Sequence, residues 1–313
     1  MRRLLWIHGT AFFERGIMYY YRIGNLQFCW RKDNISLSQD EFMERYLISE
    51  NERDTYVDTI TYESRILQLE DYQKKYLLQK NETYELYETD KGCLIIYHWA
   101  TCRFGFGYWL EELEHENHIT CYFHPNMVNQ TPLSAVRFFS CAGMHSKFLQ
   151  HGDFVLHASY IDWNGKGIVF AAPSGTGKST QAKLWEKYAG AEIINGDRVL
   201  LGECEGKWYG YGYPCCGSST VCINRTLPLA MVVILEQGAV NQVLHLTKSQ
   251  KTRALVTGTQ LFLWNKAEIN RAFEIVGKFV QSVPVVKLIC RPDKDAVDTL
   301  KKYWEEGMLN ESI

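Results

Sequence analysis

Residues 172–180 read Ala172-Pro173-Ser174-Gly175-Thr176-Gly177-Lys178-Ser179-Thr180, a phosphate-binding loop with alanine where the first glycine usually stands. Gly175 and Gly177 allow the backbone to turn so that successive N–H groups converge on phosphate oxygens. A helix starting near Lys178 would direct its positive end at the same point. The Lys178 ammonium suits the β- and γ-phosphates, and the Ser179 hydroxyl suits Mg²⁺. Average residue frequencies place such a pattern in a chain of this length by chance roughly twice in a hundred. Ser174, Gly175, Thr176, Gly177, Lys178, Ser179 and Thr180 are therefore the expected nucleotide-binding residues, with ATP and Mg²⁺ as the expected cofactors.

A loop of this kind names no reaction, because switches, motors and kinases all use one. The next acidic group discriminates. Asp197 follows Lys178 by only 19 residues, room for one helix and one short strand. In many ATPases and GTPases with such a loop the metal-binding aspartate ends a later parallel strand. A carboxylate so placed could hold Mg²⁺ or accept a proton from an acceptor hydroxyl. As the residue after Gly196 it could also be a plain turn residue. Arg198 and Arg225 are candidates for contacting transferred phosphate, since guanidinium complements phosphoryl oxygens; surface arginine is the alternative. Gly217-Ser218-Ser219 is either an ordinary loop or one that closes over the acceptor or the phosphates.

The elements that must position these groups alternate. Phe154 to Ile161 and Ile168 to Ala171 read as strands around the turn Asp162-Trp163-Asn164-Gly165, and the second strand feeds the loop. Ala230 to Leu235 and Val285 to Cys290 are buried-strand runs. Ile269, Phe273, Val276, Val280 and Val283 give helical spacing up to Pro284, and Asp293 to Glu306 predicts a terminal helix with Ala296, Leu300 and Tyr303 inward. Thr131-Pro132 reads as a helix start, with Val136, Phe139, Gly143 and Phe148 on one stripe. Strands alternating with helices predict an α/β domain over 131–313. Residues 1–130 read instead as a β-rich domain. A hairpin is expected around Gly24-Asn25, with further strands at Cys93 to Trp99, Arg103 to Trp109 and His118 to Phe123.

Composition supports two domains. A chain of 313 residues gives about two at roughly 150 each. All 7 prolines lie at or after Pro125, whereas 24 of the 43 aromatics lie within residues 1–125, so two unlike halves are averaged in the totals. The net charge of −2 supplies no basic field for nucleic acid or an anionic membrane surface. Residues 36–90 carry 14 acidic and 6 basic side chains, which reads as a solvated face rather than a dock for a basic partner. No run approaches the roughly 20 apolar residues needed to span a bilayer. Met1 to Ile7 begins like a signal peptide but lacks a cleavage site, so the expected compartment is cytoplasmic. Cys121-x-x-His124 and the histidines at 115 and 118 are incomplete as metal sites, and the ten cysteines contain no CxxC pair.

Further residues extend the pattern around the loop. Leu156-His157-Ala158-Ser159 and Gly165 to Phe170 precede it, and Ala182-Lys183-Leu184-Trp185 and Asn195-Gly196-Asp197-Arg198 follow. Beyond lie Tyr211-Gly212-Tyr213-Pro214, Gly217-Ser218-Ser219 and Asn224 to Leu229. Over roughly 150–300 this resembles the catalytic domain of HPr kinase/phosphorylase and its relatives, among them kinases that modify ribosomally made peptides such as lasso-peptide precursors. The resemblance implies a PEP-carboxykinase-like α/β core and phosphoryl transfer to a serine hydroxyl. It implies that Lys178 and Ser179 are nucleotide and metal groups, that Asp197 is one of an acidic pair, and that His157 is an active-site histidine. By itself a lone histidine on a strand is more often a satisfied core residue. Relatives form homo-oligomers, although no apolar stripe here specifies one.

Two departures qualify what is carried over. The bifunctional enzymes have adjacent aspartates, whereas Gly196 precedes Asp197 here. One carboxylate must then serve as base and metal ligand, or Glu203 or Glu205 must help, and the reverse phosphorylase reaction is not expected. Residues 1–125 do not resemble the N-terminal domain of those enzymes, so HPr is not the expected substrate. The expected activity is an ATP-dependent kinase acting on serine in a peptide or small protein, with the aromatic N-terminal domain as substrate surface. The alternatives are a kinase of free serine or a similar metabolite, and an adaptor that binds ATP without transfer.

Overall fold

Apolar runs separated by glycine-bearing turns fold into strands along the whole chain, and the longer amphipathic segments of the second half fold into helices. The computed structural model describes residues 142–310 apart from 218 and 264. Before them it describes 18–32, 41–54, 58–64, 75–80, 84–90, 92–97, 107–112 and 118–123, with the pieces 5–7, 10–12, 37–38 and 133–134 and positions 73, 82, 136 and 139. The architecture is mixed α/β with several sheets. Two compact units divide it: Met1–Arg22 with Leu26–Met144, and Ile23–Asn25 with His145–Ile313. The boundary expected at 130/131 lies outside the described residues.

Met18–Ile23 and Leu26–Lys32 form the hairpin expected around Gly24-Asn25, with Ile23–Asn25 grouped in the second unit and the rest in the first. Gly24 sits at φ 58°, the left-handed region that a two-residue hairpin turn requires. Among the described residues the hairpin belongs to a nine-stranded sheet, with Leu47–Ile48 at one end and Asp58–Ser64, His118–Phe123, Gly107–Glu112, Gly92–Tyr97, Tyr84–Thr89 and Lys75–Lys80 following in order on the other side. Tyr21, Phe28 and Trp30 are buried, with Tyr21 stacked on Phe28 at 5.4 Å, so these rings are core and not contact surface. The terminal strand Lys75–Lys80 is exposed at all six positions, with Tyr76, Leu77 and Leu78 each more than half accessible.

One expectation is overturned nearby. Leu133–Ser134 pairs as a strand with Leu37–Ser38 instead of opening a helix; Val136 and Phe139 are helical as expected, but Gly143 at φ 62° breaks the stripe and α1 spans Met144–Gln150. Thr131-Pro132, Leu113 to Asn117 and His124 lie outside the described residues. Among the described residues no helix is long and apolar enough to cross a membrane.

The second unit mixes strands and helices as expected but does not alternate them strictly, since five strands follow one another between Glu192 and His245 among the described residues. Strands β1 (Phe154–Trp163) and β2 (Lys166–Ala171) lead to α2 (Lys178–Ala189). Then come β3 (Glu192–Asn195), β4 (Arg198–Cys204), β5 (Lys207–Tyr211) and β6 (Thr226–Gln237). The chain closes with β7 (Gln242–His245), α3 (Lys248–Gly258), α4 (Lys266–Ser282), β8 (Val285–Cys290) and α5 (Lys294–Asn310). Neighbouring strands run β2, β1, β4, β5, β6, β8, β7, and β2 also pairs in parallel with β6. The first five therefore close on themselves, through the long strands β1 and β6.

Both faces of the central strands are buried, which is why β2 reads as an unbroken apolar run. Ile168 and Phe170 pack into one cluster with Trp185 of α2 and Leu300 of α5. Val169 and Ala171 point the other way, into a cluster with Leu255 of α3 and Val276 and Phe279 of α4. This period-two split puts α2 and α5 on one side of the sheet and α3 and α4 on the other.

Asp153, at the entry to β1, is buried at 1% exposure. Asn25 Nδ2 donates to its Oδ1 at 3.2 Å, while its Oδ2 meets no hydrogen-bond partner among the described residues. Burial pushes this carboxyl from 3.8 up to about 7, against the pull of Asn25. Because the folded value lies above the unfolded one, stability is full below about pH 4 and falls as pH rises toward 7. The loss is on the order of 4 kcal/mol at most, at 1.36 kcal/mol per unit. Asp153→Asn should flatten that slope and raise the thermal midpoint more at pH 8 than at pH 4.5; scanning calorimetry at the two values measures it.

Candidate active site

Two short strands, β3 and β4, both run antiparallel to β1 and lie end to end along it. β4 pairs with Phe154 to His157, and β3 pairs with Tyr160 to Asp162. The break between them is Gly196-Asp197, opposite Ala158-Ser159. Ala158 N–H donates to Asp197 O at 2.9 Å, and Ser159 Oγ donates to Gly196 O at 2.9 Å. A strand interrupted this way re-aims one side chain out of the sheet, as bulges beside active sites do. Here that side chain is the Asp197 carboxylate.

The break is pinned from beneath by Asn195, which is wholly buried. Its Oδ1 accepts from the N–H groups of Asp197 and Arg198, both at 2.9 Å. Its Nδ2 donates to Tyr213 O at 2.8 Å and Cys215 O at 3.3 Å. A buried amide satisfied on both ends fixes one geometry, so a single residue ties the aspartate turn to the 213–217 segment. Gly196 is required because a Cβ there would meet Ser219 Oγ at 2.5 Å.

On its other side β1 pairs with β2, Ala158 opposite Ala171, so the phosphate-binding loop starts one strand away from the break. Gly175 and Gly177 sit at φ 78° and 111°. Gly177 is the N-cap of α2 and supplies no side-chain cap, which leaves the first N–H groups of the helix available to an anion. Lys178 is nearly buried, and its Nζ donates to the carbonyls of Ala172 and Pro173 at 3.0 and 3.2 Å. Ser179 Oγ donates to Gly196 O at 3.3 Å.

His157 completes the group. Its Nε2 lies 3.2 Å from Asp197 Oδ1, and Arg198 Nε lies 3.7 Å from Asp197 Oδ2. Burial, and then the Lys178 charge, hold the imidazole below its ordinary 6.5, against the opposing pull of Asp197. A neutral imidazole at pH 7 donates its Nε2–H to the carboxylate. Burial likewise lowers the Lys178 ammonium, and Asp197 counteracts it.

These groups line one cavity of about 540 Å³, which holds His157, Ser174, Gly175, Gly177, Lys178, Ser179, Thr180 and Asp197 together. Thr176 lies in the loop beside them, within a smaller adjoining cavity. The donor set fits a magnesium nucleotide: unclaimed helix N–H groups and an ammonium for phosphate, and two side-chain oxygens for a cation that keeps several waters. Asp197 is the single carboxylate lining this cavity among the described residues. Glu203 lies six positions along the chain from Asp197 in β4, roughly 20 Å at the strand rise, and Glu205 lies beyond it; neither reaches the site.

Two expected residues are placed elsewhere or not described. Arg225 ion-pairs with Asp162 at 3.1 Å and with Glu192, away from the loop. Ser218 lies outside the described residues. Gly217 lies against Asp197, where a Cβ would come within 2.6–2.8 Å of the carboxyl atoms. The positioning roles of Asn195 and Ser159 escaped the sequence reading, because buried polar pins carry no periodic signal.

No family model and no curated protein matches the chain. Among solved structures, the Hpr(Ser) kinase/phosphatase from Coxiella burnetii aligns with 50% of this chain and 96% of its own, at 9% identity and a TM-score of 0.30. That likeness is remote, and the chemistry of the site is argued from its own residues.

Gly217, at φ 57°, has both a backbone and a steric reason to be glycine. Gly217→Ala should displace the Asp197 carboxylate while leaving the phosphate-binding loop intact. The expected result is nucleotide affinity within about threefold of the parent and a loss of turnover of roughly tenfold or more, read by titration with a fluorescent ATP analogue and by a steady-state assay.

Proposed function

We propose that the protein is an ATP-dependent kinase on a PEP-carboxykinase-like core, transferring the γ-phosphoryl group to a serine hydroxyl of a peptide or small protein. The observation that carries this reading is the Asp197 carboxylate, held between His157 and the Lys178-Ser179 pair in one cavity. A switch or adaptor needs an aspartate here only to hold the metal, whereas transfer to an alcohol also needs a base, and the contact with a neutral His157 suits Asp197 to that second task.

Bound ATP and Mg²⁺ would supply the transferable group and a cation to neutralise it; the N–H groups of the loop and Lys178 would hold phosphate oxygens, and Ser179 and Asp197 the metal. The rest is done by this chain. Asp197 accepts the acceptor hydroxyl proton as that oxygen attacks phosphorus. The neutral His157, donating to Asp197 Oδ1, fixes the carboxylate's orientation and leaves the other oxygen for the proton. Arg198, near Oδ2, adds positive charge where charge spreads in the transition state. A single carboxylate supports the forward direction without a second base for the reverse one.

Lys178→Ala and Asp197→Asn separate binding from chemistry. The lysine change should weaken nucleotide binding as well as transfer. The asparagine should bind nucleotide and lose roughly 10²–10⁴-fold in turnover, the range for a lost general base. Labelled ATP with candidate acceptors gives the readout, and undiminished transfer in either variant would sink the assignment.

The pH profile has a worked sign. Protonating His157 places a cation on Asp197 and weakens it as a base, so turnover should fall as the solution becomes acid. Because the imidazole is held below 6.5, the midpoint of that fall belongs below 6.5. His157→Gln should remove this limb from a plot of kcat against pH; a bend at or above 6.5 contradicts the arrangement.

A further inference from the structure

A second, larger cavity of about 810 Å³ opens on the α3 side of the sheet; His157, which lines the phosphate site, lines this one too, and Arg198 lines this one alone. Its floor includes Ala172 and Pro173, the residues whose carbonyls hold the Lys178 ammonium. The cavity therefore begins where the phosphate site ends, with His157 shared between them. Its outer wall is α3. Thr247 caps that helix in a reciprocal box with Gln250, and the chain just after it is tied to β1 by Gln260 N–H donating to Val155 O at 2.9 Å. The wall is thus anchored at both ends.

The lining chemistry is one-sided. Ile234, Leu246 and Ala254 give it an apolar body, and its charged residues are Arg198, Arg253 and Lys287, with no carboxylate among the described ones. Lys287 is committed to Glu236 at 2.7 Å and Arg198 lies beside Asp197. Arg253 is exposed and makes no ion pair or side-chain hydrogen bond among the described residues. A guanidinium without an acid, at the mouth of an apolar cavity, suits a carboxylate brought by a ligand. The volume lies in the upper range of cavities that enclose drug-sized ligands, so free serine would leave most of it to water.

Resting on the kinase reading above, we propose that this cavity is the acceptor site and takes a serine-bearing peptide segment with apolar and acidic side chains, its carboxylate on Arg253. The serine hydroxyl then enters past His157 toward Asp197, while the flanking residues stay in the cavity. Arg253 in this role sets specificity and takes no part in the chemistry.

The test measures peptide binding to the full chain by fluorescence anisotropy with MgADP present, independently of transfer. Two labelled nonapeptides are used, each with a central serine flanked by leucine, one carrying glutamates and the other lysines in their place. The glutamate peptide should bind about tenfold more tightly, the equivalent of one good ion pair. Arg253→Glu should reverse the preference and Arg253→Gln should abolish it, with MgADP affinity showing that each variant is folded. Equal binding of the two peptides, a preference unmoved by both variants, or label passing to free serine with no peptide bound overturns the proposal. A chain that binds the glutamate peptide selectively but never phosphorylates it contradicts the kinase reading alone. One that phosphorylates both peptides with equal KM contradicts the acceptor assignment alone.

Discussion

The second unit depends on a strand that is broken on purpose. β3 and β4 would be one continuous neighbour of β1 but for Gly196-Asp197, and the Asn195 carboxamide holds the break open. Each of its hydrogen bonds is worth only about 1 kcal/mol net, but a buried partner left unsatisfied costs more than that. The constraint is therefore asymmetric. The amide adds modestly to stability while making any other path for residues 196–198 expensive. Through it the phosphate-binding loop, the aspartate and the 213–217 segment are referred to one strand, β1.

That common reference explains how a site is assembled from distant parts of the sequence. β1 touches the start of the phosphate-binding loop through Ala171 on one side and Asp197 on the other. His157 sits where β1 exchanges one partner for the next, and so is reachable from both faces of the sheet. The two cavities it borders differ in character. The α2 side is built from backbone N–H groups, hydroxyls and one ammonium, whereas the α3 side is largely aliphatic with a cationic rim. Such a division suits two reactants that must meet without competing for the same space.

Legibility in the sequence followed the range of the interactions. The loop at 172–180, its helix, the short strand after it and the hairpin at Gly24-Asn25 are all local, and local spacing was enough to place them. The terminal helix and the strands at 230–235 and 285–290 were legible because each buries a regular face. What was not legible is pairing. Nothing in the composition of Leu156-His157-Ala158-Ser159 says that it lies between β2 and the Gly196-Asp197 break, and without that fact His157 is an ordinary histidine. The fate of Arg225 was hidden for the same reason, since Asp162 and Glu192 meet it only through the register of β1 with β3. α3 is mostly polar and gave no stripe, although Thr247-x-x-Gln250 is a capping box that would have marked its start. After Thr131-Pro132 a helix was expected, and at Leu133–Ser134 a strand partner far back in the chain at Leu37–Ser38 delays it, so that among the described residues helix first follows at Val136 and Phe139.

The strand Lys75–Lys80 carries a different kind of consequence. It ends its sheet among the described strands and offers solvent three large side chains in a row, Tyr76, Leu77 and Leu78. An open edge of that composition is a template on which a second chain can add itself as one more strand. Lysine stands at both of its ends, and in an antiparallel self-pairing those like charges would face one another across the new seam. The same six residues thus contain a hazard of self-association and the electrostatic guard against it, which makes the two lysines matter for solubility.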